Sequence, residues 1–532
     1  MKEIVRELPA DSPPFAEIIQ NNMVYVDKTA YLGDMIANEP STLFFTRPRR
    51  FGKSLTLSTL EALLRGQKEL FKGLAIYNRL EEEVFAPRPV IHLNMRKTST
   101  NAGVTGFRDT LGRMTTEVAE NLRVTVPHNL LPSEILSTII ERCAKKSPDT
   151  LPAVLIDEYD SPYLNLRRKP DQLEEVKEIL SDYYVQLKNY RDKLSFVFVT
   201  GITKSALTEF NSTLNNSTDI SIEPKYGALT GFTHEEIKAN FGPHIREAAI
   251  SLNLTEAKLL DELRDYYYGF CFDGQTYLYN PFAIMRFFLA KKFRNFWFSS
   301  GPSYHLAQYL KNKRLIPEDL RGIPISQSEA LNLEDSDDPT NFLYQAGYLS
   351  LRPGDDDKFT LDFPNREVLK SISLLAIKNF FSQKRILFDS FNYLEKALSH
   401  RDPTGVINEF NLLLSNIPYN DFESVRRTPN GLYRACLLTY LYSAGLHPVA
   451  ERPGNFGRTD IAFKYKNAPW VMEFKVCDGD QDEATAGKAL ERILATKYGD
   501  SFRNPVLLGI AINNQDRTIK AWQSRDDSRD ES

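Results

Sequence analysis

The sequence predicts an α/β protein: a parallel sheet bearing a glycine-containing loop, then a helix-rich middle, then a second and smaller α/β domain. Three observations predict it. Up to residue 235, short apolar runs alternate with longer runs of helical spacing, the pattern of parallel strands connected by helices. Residues 46–54 read Thr-Arg-Pro-Arg-Arg-Phe-Gly-Lys-Ser, set between the apolar Thr42–Phe45 run and a helical run from Leu55 to Leu64. Further on, Ala153-Val154-Leu155-Ile156 ends in Asp157-Glu158. A buried strand of that kind delivers two carboxylates at its C-terminal end, where α/β sheets bind ligands.

Strands are expected at 42–46, 89–95, 153–157 and 195–200, and helices at 55–64, 106–123, 134–145 and 171–191. The 89–95 strand is an extra one, placed between the glycine loop and the acidic strand. From 236 to 400 the alternation gives way to helix-rich, aromatic chain, as in Asp265-Tyr266-Tyr267-Tyr268-Gly269-Phe270 and Tyr279-Asn280-Pro281-Phe282. Asn280-Pro281 before an apolar run reads as a helix start. Aromatic residues at this spacing read as core before they read as a platform for stacked bases. Leu333 to Thr340 and Pro353 to Asp357 read as surface loops. Near the C-terminus, Gly457–Phe463 and Trp470–Val476 form two strands turning at Asn467-Ala468-Pro469. Helices are expected at Gly431–Ser443 and Ala484–Tyr498, with a last strand at Val506–Ile512 and a disordered, charged tail. The partition that follows is 1–235, a helix-rich lid or winged-helix-like 236–400, 401–523, and a tail at 524–532. No internal repeat is present.

The 532 residues, at roughly 150 per domain, agree with about three domains. A net charge of −4, from 66 basic and 70 acidic residues, excludes a global basic field, so any nucleic-acid surface must be a local patch. Cys143, Cys271, Cys436 and Cys477 are scattered without C-x-x-C spacing, which argues against a zinc site or a disulfide framework and for a reducing compartment. No apolar run approaches the roughly 18 residues of a membrane span. The expectation is a cytoplasmic chain without membrane contact, or a nuclear one in a cell with a nucleus.

The chemistry starts at Gly52-Lys53-Ser54. A glycine lets backbone N–H groups turn inward around phosphate oxygens at a helix N-terminus, where the helix dipole also favours negative charge. Lys53 would reach the β- and γ-phosphates, and the Ser54 hydroxyl would hold Mg²⁺. Arg49, Arg50 and Leu55 complete the loop side of the nucleotide set. Asp157 suits the Mg²⁺ shell, Glu158 suits the orientation of an attacking water, and Thr200 could put a hydroxyl near the γ-phosphate. One departure stands out: the first glycine of G-x-x-x-x-G-K-[ST] falls on Arg47. An ordinary glycine turn plus an ordinary acidic strand end is the bland alternative, and the order of strand, loop, helix and carboxylate strand argues against it. A guanine motif is absent, because Thr203-Lys204 is followed by Ser205-Ala206.

In the C-terminal hairpin, Glu473 and Lys475 share one face of their strand while Met472, Phe474 and Val476 fill the other. The turn brings Asp460 opposite Glu473. Two carboxylates and an ammonium at one spot suit metal-assisted phosphodiester hydrolysis, with Asp460 and Glu473 as Mg²⁺ ligands and Lys475 beside the attacking water. A solvated hairpin with alternating charges is the structural alternative. A simple Glu473–Lys475 pair would leave Asp460 without a purpose. Arg426, Arg427, Arg434, Lys488, Arg492 and Lys497 could supply a phosphate-neutralising surface.

The N-terminal part resembles the AAA-ATPase-like family of P-loop ATPases, on Tyr25-Val26-Asp27-Lys28-Thr29 and Arg47 to Ser54. The missing first glycine is a trait of that family. Tyr267-Tyr268-Gly269-Phe270 and Tyr279-Asn280-Pro281 in the middle resemble it too. The C-terminal part is similar to the PD-(D/E)XK nuclease domain that commonly follows this ATPase, with Asp460, Glu473 and Lys475 matching its signature. Two positions depart from that pattern. Asn430 stands near where the preceding helix often carries a glutamate, with Glu451 or Glu423 as substitutes, and Arg492 stands where the following helix carries a glutamine. The resemblance implies ATP and Mg²⁺ as cofactors and an ATPase regulating a fused Mg²⁺-dependent nuclease. Its partners would be nucleic acid, DNA before RNA, and a nucleotide-dependent homo-oligomer. The other reading is an ATP-dependent switch whose C-terminal domain is inactive and serves as an interaction or nucleic-acid-binding module. The intact Asp460, Glu473 and Lys475 favour the enzyme.

Overall fold

The computed structural model describes residues 5–526 apart from 40, 167–168, 205–216, 301–305, 307–309, 311–314, 327–339, 355–357, 381–383, 417–428, 447, 455–456, 467 and 497–501. The expected loop at 333–339, the turn residue Asn467, and Glu423, Arg426, Arg427 and Lys497 lie outside the described residues. The chain forms two compact units, one of residues 1–300 with 322–365 and one of residues 301–321 with 366–532.

The first unit is built on five strands: β1 (Thr42–Thr46), β2 (Val90–Asn94), β3 (Ala153–Asp157), β4 (Phe196–Gly201) and β5 (Thr218–Asp219). They form one parallel sheet in the order β2-β3-β4-β1-β5. Every residue of β1, β3 and β4 is buried. That follows from helices covering both faces, which makes parallel strands read as continuous apolar runs. Ile91, Val154, Ile156 and Val199 join Phe107, Leu111, Ile139 and Leu180 in one core. Leu43, Phe45, Leu155 and Phe198 meet Leu57, Leu60 and Leu63 of the Lys53–Leu64 helix in the other. The extra strand β2 is the outer edge of the sheet, and β4 lies between β1 and the acidic β3.

The Tyr25–Thr29 segment is a structural clamp. Asp27 Oδ1 accepts from Thr29 N at 2.8 Å, at the start of the Thr29–Asn38 helix, while its Oδ2 accepts from Ala75 N at 2.7 Å. Lys28 Nζ pairs with Glu236 Oε1 at 2.5 Å.

The middle of the chain contains more strand than its composition suggests. The helices His234–Asn240, Gly242–Leu252, Glu256–Tyr267 and Pro281–Ala290 are accompanied by a hairpin of β6 (Tyr268–Cys271) and β7 (Tyr277–Tyr279). A small antiparallel sheet of β8 (Ile323–Ile325), β9 (Ser350–Pro353) and β10 (Phe359–Asp362) adds to them. The tyrosine stretch therefore changes from helix to strand at Tyr268. Gly269 makes the change possible: its φ is +112°, and a Cβ there would lie 2.1 Å from the Pro364 carbonyl. Tyr267 and Tyr279 are wholly buried, as core.

In the second unit, β11 (Val449–Gly454), β12 (Gly457–Tyr465), β13 (Ala468–Cys477), β14 (Val506–Asn513) and β15 (Thr518–Asp526) form a mixed sheet in sequence order. β13 and β14 run parallel and the other pairs antiparallel. The expected hairpin is thus the centre of a sheet and not a free ribbon. β15 carries the ordered chain to Asp526, past the expected boundary at 523, and Asp526 Oδ2 accepts from Arg401 Nε at 3.0 Å. Ser524, Arg525 and Asp526, read as part of a charged tail, belong to this strand. All four cysteines are free and buried. No helix among the described residues is long and apolar enough to cross a membrane.

Candidate functional site

In the loop between β1 and the Lys53–Leu64 helix, each carbonyl from Arg47 to Gly52 has a hydrogen-bond donor. Lys53 Nζ donates to Arg47 O at 2.7 Å and to Pro48 O at 2.9 Å. Trp297 Nε1 donates to Arg49 O at 3.0 Å, and Asn280 Nδ2 to Arg50 O at 3.3 Å. Gly231 N donates to Phe51 O, and Thr56 N to Gly52 O. Arg50 and Gly52 take left-handed φ values of +64° and +100°. Alternation of this kind turns successive N–H groups toward one concavity. A Cβ on Gly52 would meet nothing within 4 Å, so glycine is needed there for its φ and not for space. No side chain caps the helix, whose first N–H groups have no acceptor within it. The result is an N–H-lined cradle at a helix N-terminus, suited to an anion.

Arg47, where a glycine was expected, is part of the wall. It is 1% exposed, its Nη1 donates to Thr46 O at 2.9 Å, and its guanidinium lies over the Phe45 and Phe272 rings. Burial pulls its pKa down to about 10. A glycine could make none of these contacts.

Ser54 Oγ donates to Asp157 Oδ2 at 2.7 Å, and Thr200 Oγ1 donates to Asp157 Oδ1 at 3.0 Å. Three sequence-selected residues from the helix, β3 and β4 therefore meet. Burial lowers the Lys53 pKa, against the opposing pull of Asp157, Asp160 and Glu158. Glu158 has a φ of +53°, and its Oε1 lies 3.9 Å from Arg96 Nη1. Burial, then the charge of Asp157, raise its pKa. Of the other selected residues, Arg50 is exposed with its guanidinium over the Phe282 ring, Arg49 is exposed, and Leu55 packs partly into the core beneath the helix.

Sequence reasoning missed Asp160. It is fully buried, and its Oδ2 accepts from Ile202 N, Thr203 N and Thr203 Oγ1, which fixes the turn after β4. Burial raises its pKa. The signal available was its place three residues after Asp157 in Asp-Glu-Tyr-Asp.

The second candidate site lies on β12 and β13. Asp460 falls opposite Glu473, one step beyond the Ile461–Met472 pair. Phe474 N donates to Asp460 Oδ2 at 2.9 Å, and Asp460 N to Glu473 Oε2 at 3.3 Å. Glu473 is 1% exposed, and burial followed by the charge of Asp460 pushes its pKa up to about 7. Arg492 and Lys475 oppose that rise. Lys475 is half-buried two residues along the same strand and makes no hydrogen bond or ion pair among the described residues. Two arginines also reach the pair: Arg492 Nη1 is 3.0 Å from Glu473 Oε1 and Arg434 Nη1 is 3.6 Å from Asp460 Oδ1. Among the described residues, no three His, Cys, Asp or Glu side chains cluster as a metal site.

Comparison with known proteins places a family model over each of the two parts of the chain that carry these residues. Residues 12–210 match the family model described as "Predicted AAA-ATPase", and residues 429–522 match that of the PD-(D/E)XK nuclease superfamily. An Azotobacter chroococcum mcd 1 protein, named "Uncharacterized protein in vnfD 5'region", is 27% identical over 97% of this chain and 98% of its own length. Among solved structures, the Aeropyrum pernix ORC2 protein, in ADPNP-ADP complexes, is 10% identical with a TM-score of 0.25, over 66% of this chain and 92% of that one. Drosophila ORC bound to poly(dA/dT) DNA and Cdc6 is 12% identical with a TM-score of 0.21, over 78% of this chain and 60% of that one. Both TM-scores are too low for either likeness to bear on function. The chain thus carries an AAA-ATPase-like domain and, C-terminal to it, a domain of the PD-(D/E)XK nuclease superfamily.

Proposed function

We propose that the chain binds and hydrolyses ATP at the Arg47–Ser54 loop and carries a fused, metal-dependent nuclease centre at Asp460, Glu473 and Lys475. The single observation that carries the ATP reading is the link from Ser54 through Asp157 to Thr200, beside a loop whose carbonyls are each hydrogen-bonded and whose lysine lies within it. Oxygen donors from a hydroxyl and a carboxylate fit Mg²⁺, which takes one or two carboxylates together with substrate phosphates. Bound there, Mg²⁺ would neutralise charge on the β- and γ-phosphates. In this reading the loop N–H groups and Lys53 hold the phosphates, Ser54 and Asp157 hold the ion, and Thr200 orients Asp157. Glu158, with its raised pKa, accepts a hydrogen bond from the attacking water and aligns it.

At the C-terminal site, two carboxylates on one face also fit Mg²⁺, with its remaining positions left to water and a phosphodiester. The ion would supply Lewis acidity to the phosphodiester. Asp460 and Glu473 anchor it, and Lys475, unpaired among the described residues, positions the attacking water. The substrate is nucleic acid, DNA before RNA, and ATP binding regulates its cleavage. A cleavage assay on single- and double-stranded DNA and RNA, with and without ATP and Mg²⁺, tests this. Mg²⁺-dependent cutting that responds to ATP is expected.

A second reading is favoured by one observation: arginines already occupy both C-terminal carboxylates. A chain that binds ATP but cuts nothing under any nucleotide condition would be a switch whose C-terminal domain only binds a partner.

A further inference from the structure

Four carboxylate oxygens at the C-terminal site meet four donors. Asp460 Oδ2 takes Phe474 N and Glu473 Oε2 takes Asp460 N, which leaves Asp460 Oδ1 to Arg434 and Glu473 Oε1 to Arg492. The two arginines come from different helices, Pro429–Ser443 and Asp482–Ala495. The second helix is held close by a glycine. Gly509 pairs with Glu473 in the parallel β13–β14 register, and a Cβ there would lie 2.4 Å from Leu490 N and 2.6 Å from Ala486 O. The helix backbone therefore rests on the sheet beside Glu473, and Arg492 follows two residues after Leu490.

The partners are unequal in exposure. The Glu473 side chain is 2% exposed and that of Arg492 is 49% exposed. A guanidinium can swing from this pair into water at little cost, whereas the carboxylate stays buried and needs a counter-charge. Any cation approaching Glu473 Oε1 must take the place that Arg492 holds.

We propose that Arg434 and Arg492 are internal counter-ions, which compete with a divalent cation for Asp460 and Glu473 and, once displaced, bind a phosphate of the nucleic-acid backbone. The proposal rests on the metal-dependent nuclease reading above. A planar guanidinium suits a phosphate as well as it suits a carboxylate. Cation and nucleic acid then favour each other: the cation frees the arginines for phosphate, and phosphate draws them off the carboxylates. Such coupling is reciprocal. With the arginines in place the centre holds a cation weakly, and backbone phosphate strengthens that hold.

The test is Mn²⁺ binding to the full chain without nucleotide, followed by the electron paramagnetic resonance of free Mn²⁺. Subtracting the binding that survives in Asp460→Ala isolates the C-terminal centre from any site at Ser54 and Asp157. Arg492→Gln and Arg434→Gln should each bind Mn²⁺ more tightly than wild type, by up to roughly fivefold for a charge pair with one partly exposed partner, and Arg492→Lys should return toward wild type. In a second measurement, anisotropy of a labelled single-stranded oligodeoxynucleotide should show Ca²⁺ strengthening binding to wild type and failing to do so in Arg492→Gln. Equal, Asp460-dependent Mn²⁺ affinity in wild type and both glutamine variants would overturn the counter-ion proposal and leave the nuclease reading standing. Absence of Asp460-dependent Mn²⁺ binding in every variant would overturn both.

Discussion

Ser54 Oγ and Asp157 Oδ2 lie 2.7 Å apart although strand β4 separates β1, which leads into the Ser54 helix, from β3, which ends in Asp157. The contact closes over the end of β4, where Thr200 holds the other oxygen of the same carboxylate. Two oxygen donors already in register need little rearrangement to share one cation. Ser54→Ala should leave nucleotide binding in a chelator nearly unchanged and remove the gain brought by Mg²⁺, by about tenfold for one charge-assisted contact. Paired titrations of a fluorescent ATP analogue, with and without Mg²⁺, measure it. An unchanged Mg²⁺ gain would exclude Ser54 from the metal shell.

Glu158 follows Asp157 directly, and its raised pKa marks a carboxylate with little solvation. Glu158→Gln keeps the shape and removes the charge that orients water. Turnover should fall by roughly a hundredfold or more while ATP affinity holds. Phosphate release at the wild-type rate would move the role to another residue.

Asn280 has two tasks. Its Oδ1 accepts from Ala283 N as the cap of the Pro281–Ala290 helix, and its Nδ2 donates to Arg50 O in the loop. Asn280→Ala should cost about 1 kcal/mol through the cap alone. It should also weaken ATP binding, because the Arg50 carbonyl loses its donor. Asn280→Asp keeps the cap acceptor and loses the donor, so it separates the two effects. If Asn280→Asp binds ATP as wild type does, the loop holds its shape without this bond.

The Glu473 carboxyl is pushed from 4.5 up to about 7 in the folded chain. A raised carboxyl pKa means that the folded state holds the proton more tightly than the unfolded one. Stability should therefore fall as pH rises from about 4.5 to about 7 and then level off. The full effect is on the order of 3 kcal/mol. Glu473→Gln removes it. Urea unfolding of metal-free protein at pH 5 and pH 8 should show wild type losing ground to the glutamine variant at the higher pH. Parallel profiles would mean that the Glu473 carboxyl titrates alike in both states.

The parts of the fold legible in the sequence are those that repeat or recur locally. The apolar runs at 42–46 and 153–157, buried on both faces, announced their strands. The turn between β12 and β13 set Asp460 opposite Glu473, and the register agrees. What escaped lies between distant segments, where periodicity leaves no trace. Trp297 and Asn280 grip loop carbonyls 248 and 230 residues away, and the Arg47 guanidinium lies over the distant Phe272 ring. β15 was missed because only Ile519 and Ala521 of its nine residues are buried, which leaves a weak apolar signal. Arg492 was visible as a departure from the nuclease pattern, but its partner Glu473 required the close approach at Gly509.

ATP binding at this loop depends most directly on Lys53. In the described structure its ammonium bridges Arg47 O and Pro48 O inside the loop, and in the nucleotide complex it would turn to the phosphates. Titration of a fluorescent ATP analogue in Mg²⁺, against wild type and Lys53→Ala, tests whether this loop is the ATP site. Lys53→Ala should weaken binding by about tenfold to a hundredfold, the worth of one charged hydrogen bond. Equal affinity in the two proteins would contradict it.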